Sequence, residues 1–183
     1  MLLINDPTHT LIQRVKLGGA NWRGVALKPH EVGRVIKQLR RIRRLSARGK
    51  EMIDRLTKYL RWGRHVGICL VQDGPDRQCR DRIVLHECFH LLQYRKRLQK
   101  RSAAKAMIPH PSTSKALRSL GKHGYDVDDA VMIVSEIAAY IFSGDHAFIG
   151  LGRTEAKDWF SAYCRQHDVS LAWLGPLKAA LTV

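Results

Sequence analysis

The chain has 183 residues, 45% hydrophobic and 7% aromatic, which is enough apolar material for one folded domain and too much for a disordered chain. Lys and Arg number 32 against 16 acidic residues, a formal charge of +16 that speaks to partners and not to fold. No apolar run approaches the roughly 20 residues that cross a bilayer, and Met1–Pro7 has no basic region ahead of a long apolar core, so we expect no membrane span, no cleaved signal and a cytoplasmic protein, with signal-independent export left open.

In chain order, Leu11–Leu17 and Arg23–Leu27 read as two short strands separated by Gly18, Gly19 and Asn21. From Pro29 the apolar residues Val32, Val35, Ile36, Leu39, Ile42 and Leu45 recur at helical spacing, with arginines and lysines between them. Gly49 is expected to end that helix, and a second follows through Met52, Ile53, Leu56 and Leu60. His65–Val71 reads as a strand closed by Asp73-Gly74-Pro75.

A helix is expected over about Asp81–Leu98, and a loose basic connector over Lys100–Gly124. Asp126 is expected to cap the next helix, with Asp129 three residues on in its acidic first turn, and that helix runs to about Phe142 and stops near Gly144. A helix over Thr154–His167 and a short one after Ser170 complete the chain. This order gives an α+β layout in a single domain, residues 1–183, with its motif core at about 63–145.

The chemistry gathers at His86-Glu87-Cys88-Phe89-His90, an HExxH. Residues four apart share a helix face, so both imidazoles can reach one metal ion, and Glu87 falls beside the same place. There it can take a proton from an activated water and pass it to a leaving amine. Chance produces about one HExxH in a hundred chains of this size, so the bland alternative is a histidine pair with an accidental glutamate between.

A catalytic zinc needs a third protein ligand and an open position. Glu136 lies mid-helix in a strongly apolar run, Val131–Ile141, where a carboxylate is costly to bury without a cation. A metal ion supplies that cation; a buried ion pair with an arginine is the rival account. His123 is a second candidate third ligand.

Together these residues resemble the gluzincin metallopeptidases, which pair an HExxH helix with a downstream helix bearing Glu-x-x-Ala, here Glu136-Ile137-Ala138-Ala139. The resemblance covers roughly residues 63–145. It implies a zincin-like fold, a small mixed sheet with an active-site helix and a second ligand-bearing helix. It implies one Zn2+ per chain on His86, His90 and Glu136, with Glu87 as general base. It also implies that the His65–Val71 strand is an edge strand that aligns an extended peptide substrate.

Many gluzincins carry aspartate four residues after the ligand glutamate; Tyr140 stands there instead. Tyr125, Tyr140, His123 and His146 are the candidate oxyanion donors. The metzincin pattern fails, because Gln93 and Lys96 occupy its glycine and histidine positions. The glycine-rich and Glu-Gly-Cys motifs of peptide deformylases are absent, so Cys69 and Cys79 are poor ligand candidates.

Cationic residues concentrate at 34–50 and again at Arg95, Lys96, Arg97, Lys100, Arg101 and Lys105. Each run reads either as a solvated helix face or as a docking surface for nucleic acid or an acidic protein. The leading expectation is a zinc metallopeptidase acting on protein or peptide substrates. The alternatives are a basic nucleic-acid- or protein-binding module on a catalytically inert zincin scaffold and, more weakly, a secreted effector acting on other proteins.

Overall fold

In the computed structural model the described residues are 2–5, 24–44, 47–62, 68–71, 77–170 and Gly175. They form strands β1 (Leu2–Asn5), β2 (Gly24–Leu27) and β3 (Ile68–Val71), and helices α1 (Pro29–Arg40), α2 (Ala47–Trp62), α3 (Arg77–Arg95), α4 (Arg101–Met107), α5 (Pro111–Lys122), α6 (Ala130–Ser143) and α7 (Arg153–Gln166). Among the described residues no helix is long and apolar enough to cross a membrane.

The expected α+β class is overturned. Helices of 7 to 19 residues dominate the described chain, against three strands of four residues each. Much of the difference lies in the stretch taken for a loose connector, which forms α4 and α5. Its alanines favour helix, and Pro111 occupies the first turn of α5, where its missing N–H costs nothing. His110 caps that helix, its Nδ1 accepting from Ser112 N at 3.2 Å.

Two further boundaries differ. α1 ends at Arg40, before Ile42 and Leu45, where Arg40, Arg41, Arg43 and Arg44 crowd like charges at helical spacing. Gly49 lies inside the first turn of α2 and does not separate the helices. The strand expected at Leu11–Leu17 and the helix expected after Ser170 lie outside the described residues, Gly175 and the residue Ser170 itself aside.

The backbone clusters into two compact units, Met1–Leu91 and Leu92–Val183, and α3 contributes turns to both. In the first unit the strand order is β1-β3-β2, with β1 parallel and β2 antiparallel to β3. β3 is therefore the central strand, flanked on both sides. The edge-strand role expected of His65–Val71 is thereby overturned for its described part, Ile68–Val71, because both rows of its backbone groups are already paired. α1 packs on α2 in this unit, through the buried stripe Val32, Val35, Ile36 and Leu39 and through Met52 and Leu56.

In the second unit α4 and α5 each pack on α6 and α7, and α6 packs on α7. The core contains Ile133, Ile137, Leu120 and Met107, with Trp159 fully buried and stacked on Tyr163. Two of its buried polar side chains are satisfied internally: Trp159 Nε1 donates to Thr113 Oγ1 at 2.8 Å, and Thr113 Oγ1 donates to Met107 O at 2.7 Å. α6 starts on Asp129, whose Oδ1 accepts from Val131 N and Met132 N. Gly144, at φ 83°, closes it in a left-handed conformation that favours glycine.

Candidate metal centre

α3 runs unbroken from Arg77 to Arg95, so His86 and His90 sit one turn apart on one face. Their Nε2 atoms are 3.1 Å apart, and the rings meet edge to face with centroids 4.8 Å apart. Glu136 lies in the second turn of α6. The ligand atoms of His86, His90 and Glu136 all lie within 4.8 Å of one another, with His86 buried and the other two half-buried. His123 is not a member of this group, which removes it as the third ligand.

Both donor chemistry and spacing fit a metal ion. Two imidazole nitrogens and one carboxylate oxygen leave one of four tetrahedral positions open. Two nitrogens bound at about 2.0–2.1 Å to a tetrahedral centre stand about 3.3 Å apart, close to the distance already held here.

The last turn of α3 is bolted to α6 beside Glu136. Gln93 is fully buried; its Nε2 donates to Ser135 O at 3.2 Å and to Tyr163 Oη at 3.1 Å. Ser135 Oγ donates back to Gln93 Oε1 at 2.7 Å, and Gln99 Nε2 donates to the same hydroxyl at 3.3 Å. Burial of Tyr163 holds its phenol above the usual tyrosine range, so it stays a neutral partner. In sequence, Gln93 follows His90 by three residues and Ser135 directly precedes Glu136.

Glu87 is buried against β2. A Cβ built on Gly24 would lie 2.7 Å from Glu87 Oε1 and 2.8 Å from its Cγ, so the bare strand backbone forms part of the wall of this carboxylate. Gly24, Gln93 and Ser135 escaped the reading of the sequence. A glycine inside a strand does signal close approach of another group. The two polar residues carry no comparable mark.

The candidate oxyanion donors are distributed differently. Tyr140 and Tyr125 share a hydroxyl–hydroxyl hydrogen bond of 2.8 Å, and Tyr140 stacks on Phe148. His123 is exposed and also stacks on Phe148, with ring centroids 4.2 Å apart. His146 Nδ1 is 2.9 Å from Leu151 O, a contact that holds the turn after α6. Cys88 is a buried thiol one residue from Glu87, as its place in the apolar pattern implies.

Comparison of the chain with family models, with curated proteins and with solved structures finds no match to any of them.

Proposed function

We propose that this chain is a zinc-dependent metallopeptidase of the gluzincin ligand type, holding one zinc ion on His86, His90 and Glu136 and using Glu87 as general base. The observation that carries the reading is the convergence of those three ligand atoms within 4.8 Å, next to a buried glutamate on the same helix as the histidines.

Zinc bound there supplies Lewis acidity, which brings the pKa of water to about 7 and polarises a carbonyl. The chain's own residues supply the rest. Glu87 takes one proton as the water oxygen bonds to the peptide carbonyl carbon. It returns that proton to the amide nitrogen as the C–N bond breaks, so a carboxylic acid product and a free amine leave. Gln93 and Ser135 keep the ligand-bearing turns in register, and the Gly24 backbone limits where the Glu87 carboxylate can swing.

Elemental analysis and peptide hydrolysis test the proposal together. Protein never exposed to chelator is expected to carry one zinc per chain, lost in His86→Ala, His90→Ala or Glu136→Ala. Glu87→Gln is expected to keep the zinc and to cleave peptides about 100- to 10,000-fold more slowly, the ordinary contribution of a positioned base. Absence of stoichiometric metal in the wild-type protein, or a Glu87→Gln variant that cleaves at the wild-type rate, refutes it.

A further inference from the structure

Past the last turn of α3 the chain forms an open concavity of about 580 Å³ lined by Gln93, Tyr94, Arg95, Arg97, Gln99 and Lys100. Three of these six are cations and none is acidic. Arg95, Arg97 and Lys100 are all exposed, whereas Lys115 is neutralised by Glu155 at 2.9 Å. Arg97 holds its place at φ 54°, a left-handed conformation that glycine adopts at less cost. Tyr94 adds an aromatic ring that is 38% exposed, beside the charges.

Cations at a helix C-terminus interact favourably with its dipole, which accounts for Arg95 but not for the exposed ring or for charge converging from the following turn. A surface that combines exposed guanidinium and ammonium groups with a partly exposed aromatic ring suits a ligand that is both polyanionic and built of planar rings. We propose that this concavity is a binding site for single-stranded nucleic acid. Arg95, Arg97 and Lys100 take successive phosphates there, and a base stacks on Tyr94. A flexible acidic protein segment would satisfy the charges but would leave the ring unused.

The test is fluorescence anisotropy of the intact chain with a labelled oligothymidylate. Three phosphate contacts on a single strand give a log–log salt slope of about −2, so affinity should fall roughly 20-fold between 50 and 200 mM salt. Arg95→Glu/Arg97→Glu/Lys100→Glu should flatten that slope and weaken binding more than about tenfold. Tyr94→Ala should weaken the oligonucleotide about tenfold.

An equal change of net charge on the exposed face of α1, Arg34→Glu/Lys37→Glu/Arg40→Glu, should leave affinity within about twofold of wild type. The proposal is overturned if that control weakens binding as much as the concavity variant, since binding would then follow total charge. It is also overturned if polyglutamate competes as well as unlabelled oligonucleotide, or if Tyr94→Ala binds like wild type. None of these outcomes depends on zinc or on peptide cleavage.

Discussion

Replacing Gly24 by alanine tests the close approach of β2 to the proposed general base. The new methyl would lie 2.7 Å from Ile83 Cγ2, 2.8 Å from Glu87 Cγ and 2.7 Å from Glu87 Oε1. Carbon atoms in good contact sit about 3.5–4.0 Å apart, so both carbon pairs fall short by roughly 0.7 to 1.3 Å. Rotation of the Glu87 carboxylate relieves its oxygen contact, but Cγ sits close to the α3 backbone and Ile83 closes off the preceding turn. Overpacking of this kind costs about 1–3 kcal/mol. For a chain of this size that lowers the midpoint of thermal unfolding by roughly 2–12 °C.

Because the three atoms nearest the new methyl belong to Ile83 and Glu87 and not to a proposed ligand, zinc content should stay at one per chain while peptide cleavage falls with the displaced Glu87. Thermal unfolding, elemental analysis and a peptide assay on the same preparation read the three quantities. Adding Ile83→Ala should recover part of the stability, a coupling expected of residues that share one contact. A Gly24→Ala protein with wild-type midpoint and wild-type rate refutes the close approach, and loss of zinc refutes the separation of base from ligands.

Gln93→Leu removes the acceptor of the Ser135 hydroxyl and the donor to Ser135 O and Tyr163 Oη, at about 0.5–1.5 kcal/mol for each hydrogen bond lost. It should also lower zinc affinity, measured by chelator competition, and Gln93→Leu/Ser135→Ala should regain part of the stability; unchanged zinc affinity in the single variant refutes a positioning role. His167 is buried with no hydrogen-bond partner on either ring nitrogen, and burial together with the Lys100 charge lowers its pKa below the ordinary imidazole value. The unfolded chain therefore binds that proton first, so this contribution to stability is complete above about pH 6.5 and is lost as pH falls below it. Urea midpoints at pH 7.5 and 5.5 should converge in His167→Phe relative to wild type, and an equal drop in both proteins refutes the assignment. Burial pushes the Cys164 thiol up to about 11, so alkylation mapped by mass spectrometry at pH 8 should spare it in the native protein and modify it in urea.

The histidine spacing was legible because a helix converts a four-residue interval into one face, whatever packs around it. Glu136 was legible for a different reason: a lone carboxylate in a run as apolar as Val131–Ile141 needs a cation. The class of the fold was not. Residues 101–122 look like a connector because their lysines, serines and prolines dilute the periodicity. Yet Ala103, Ala104, Met107, Ala116 and Leu120 are buried together, and tertiary packing decides their conformation. The central position of β3 was equally hidden, since strand order depends on pairing partners that lie far away in sequence. Gln93 passes for a surface residue beside a run of cations until its burial and its hydrogen bonds to Ser135 and Tyr163 are seen.

α3 carries both histidines, the proposed general base Glu87 and Gln93 within eight consecutive positions of one unbroken helix. Each residue of an α-helix turns the chain by about 100°. An insertion or deletion of one residue between His90 and Gln93 would therefore turn the imidazole pair by about 100° relative to Gln93 along the helix, while leaving every proposed ligand in the sequence. Length changes in α3 should abolish zinc binding even when the HExxH itself is intact, whereas substitutions at its exposed positions should be tolerated.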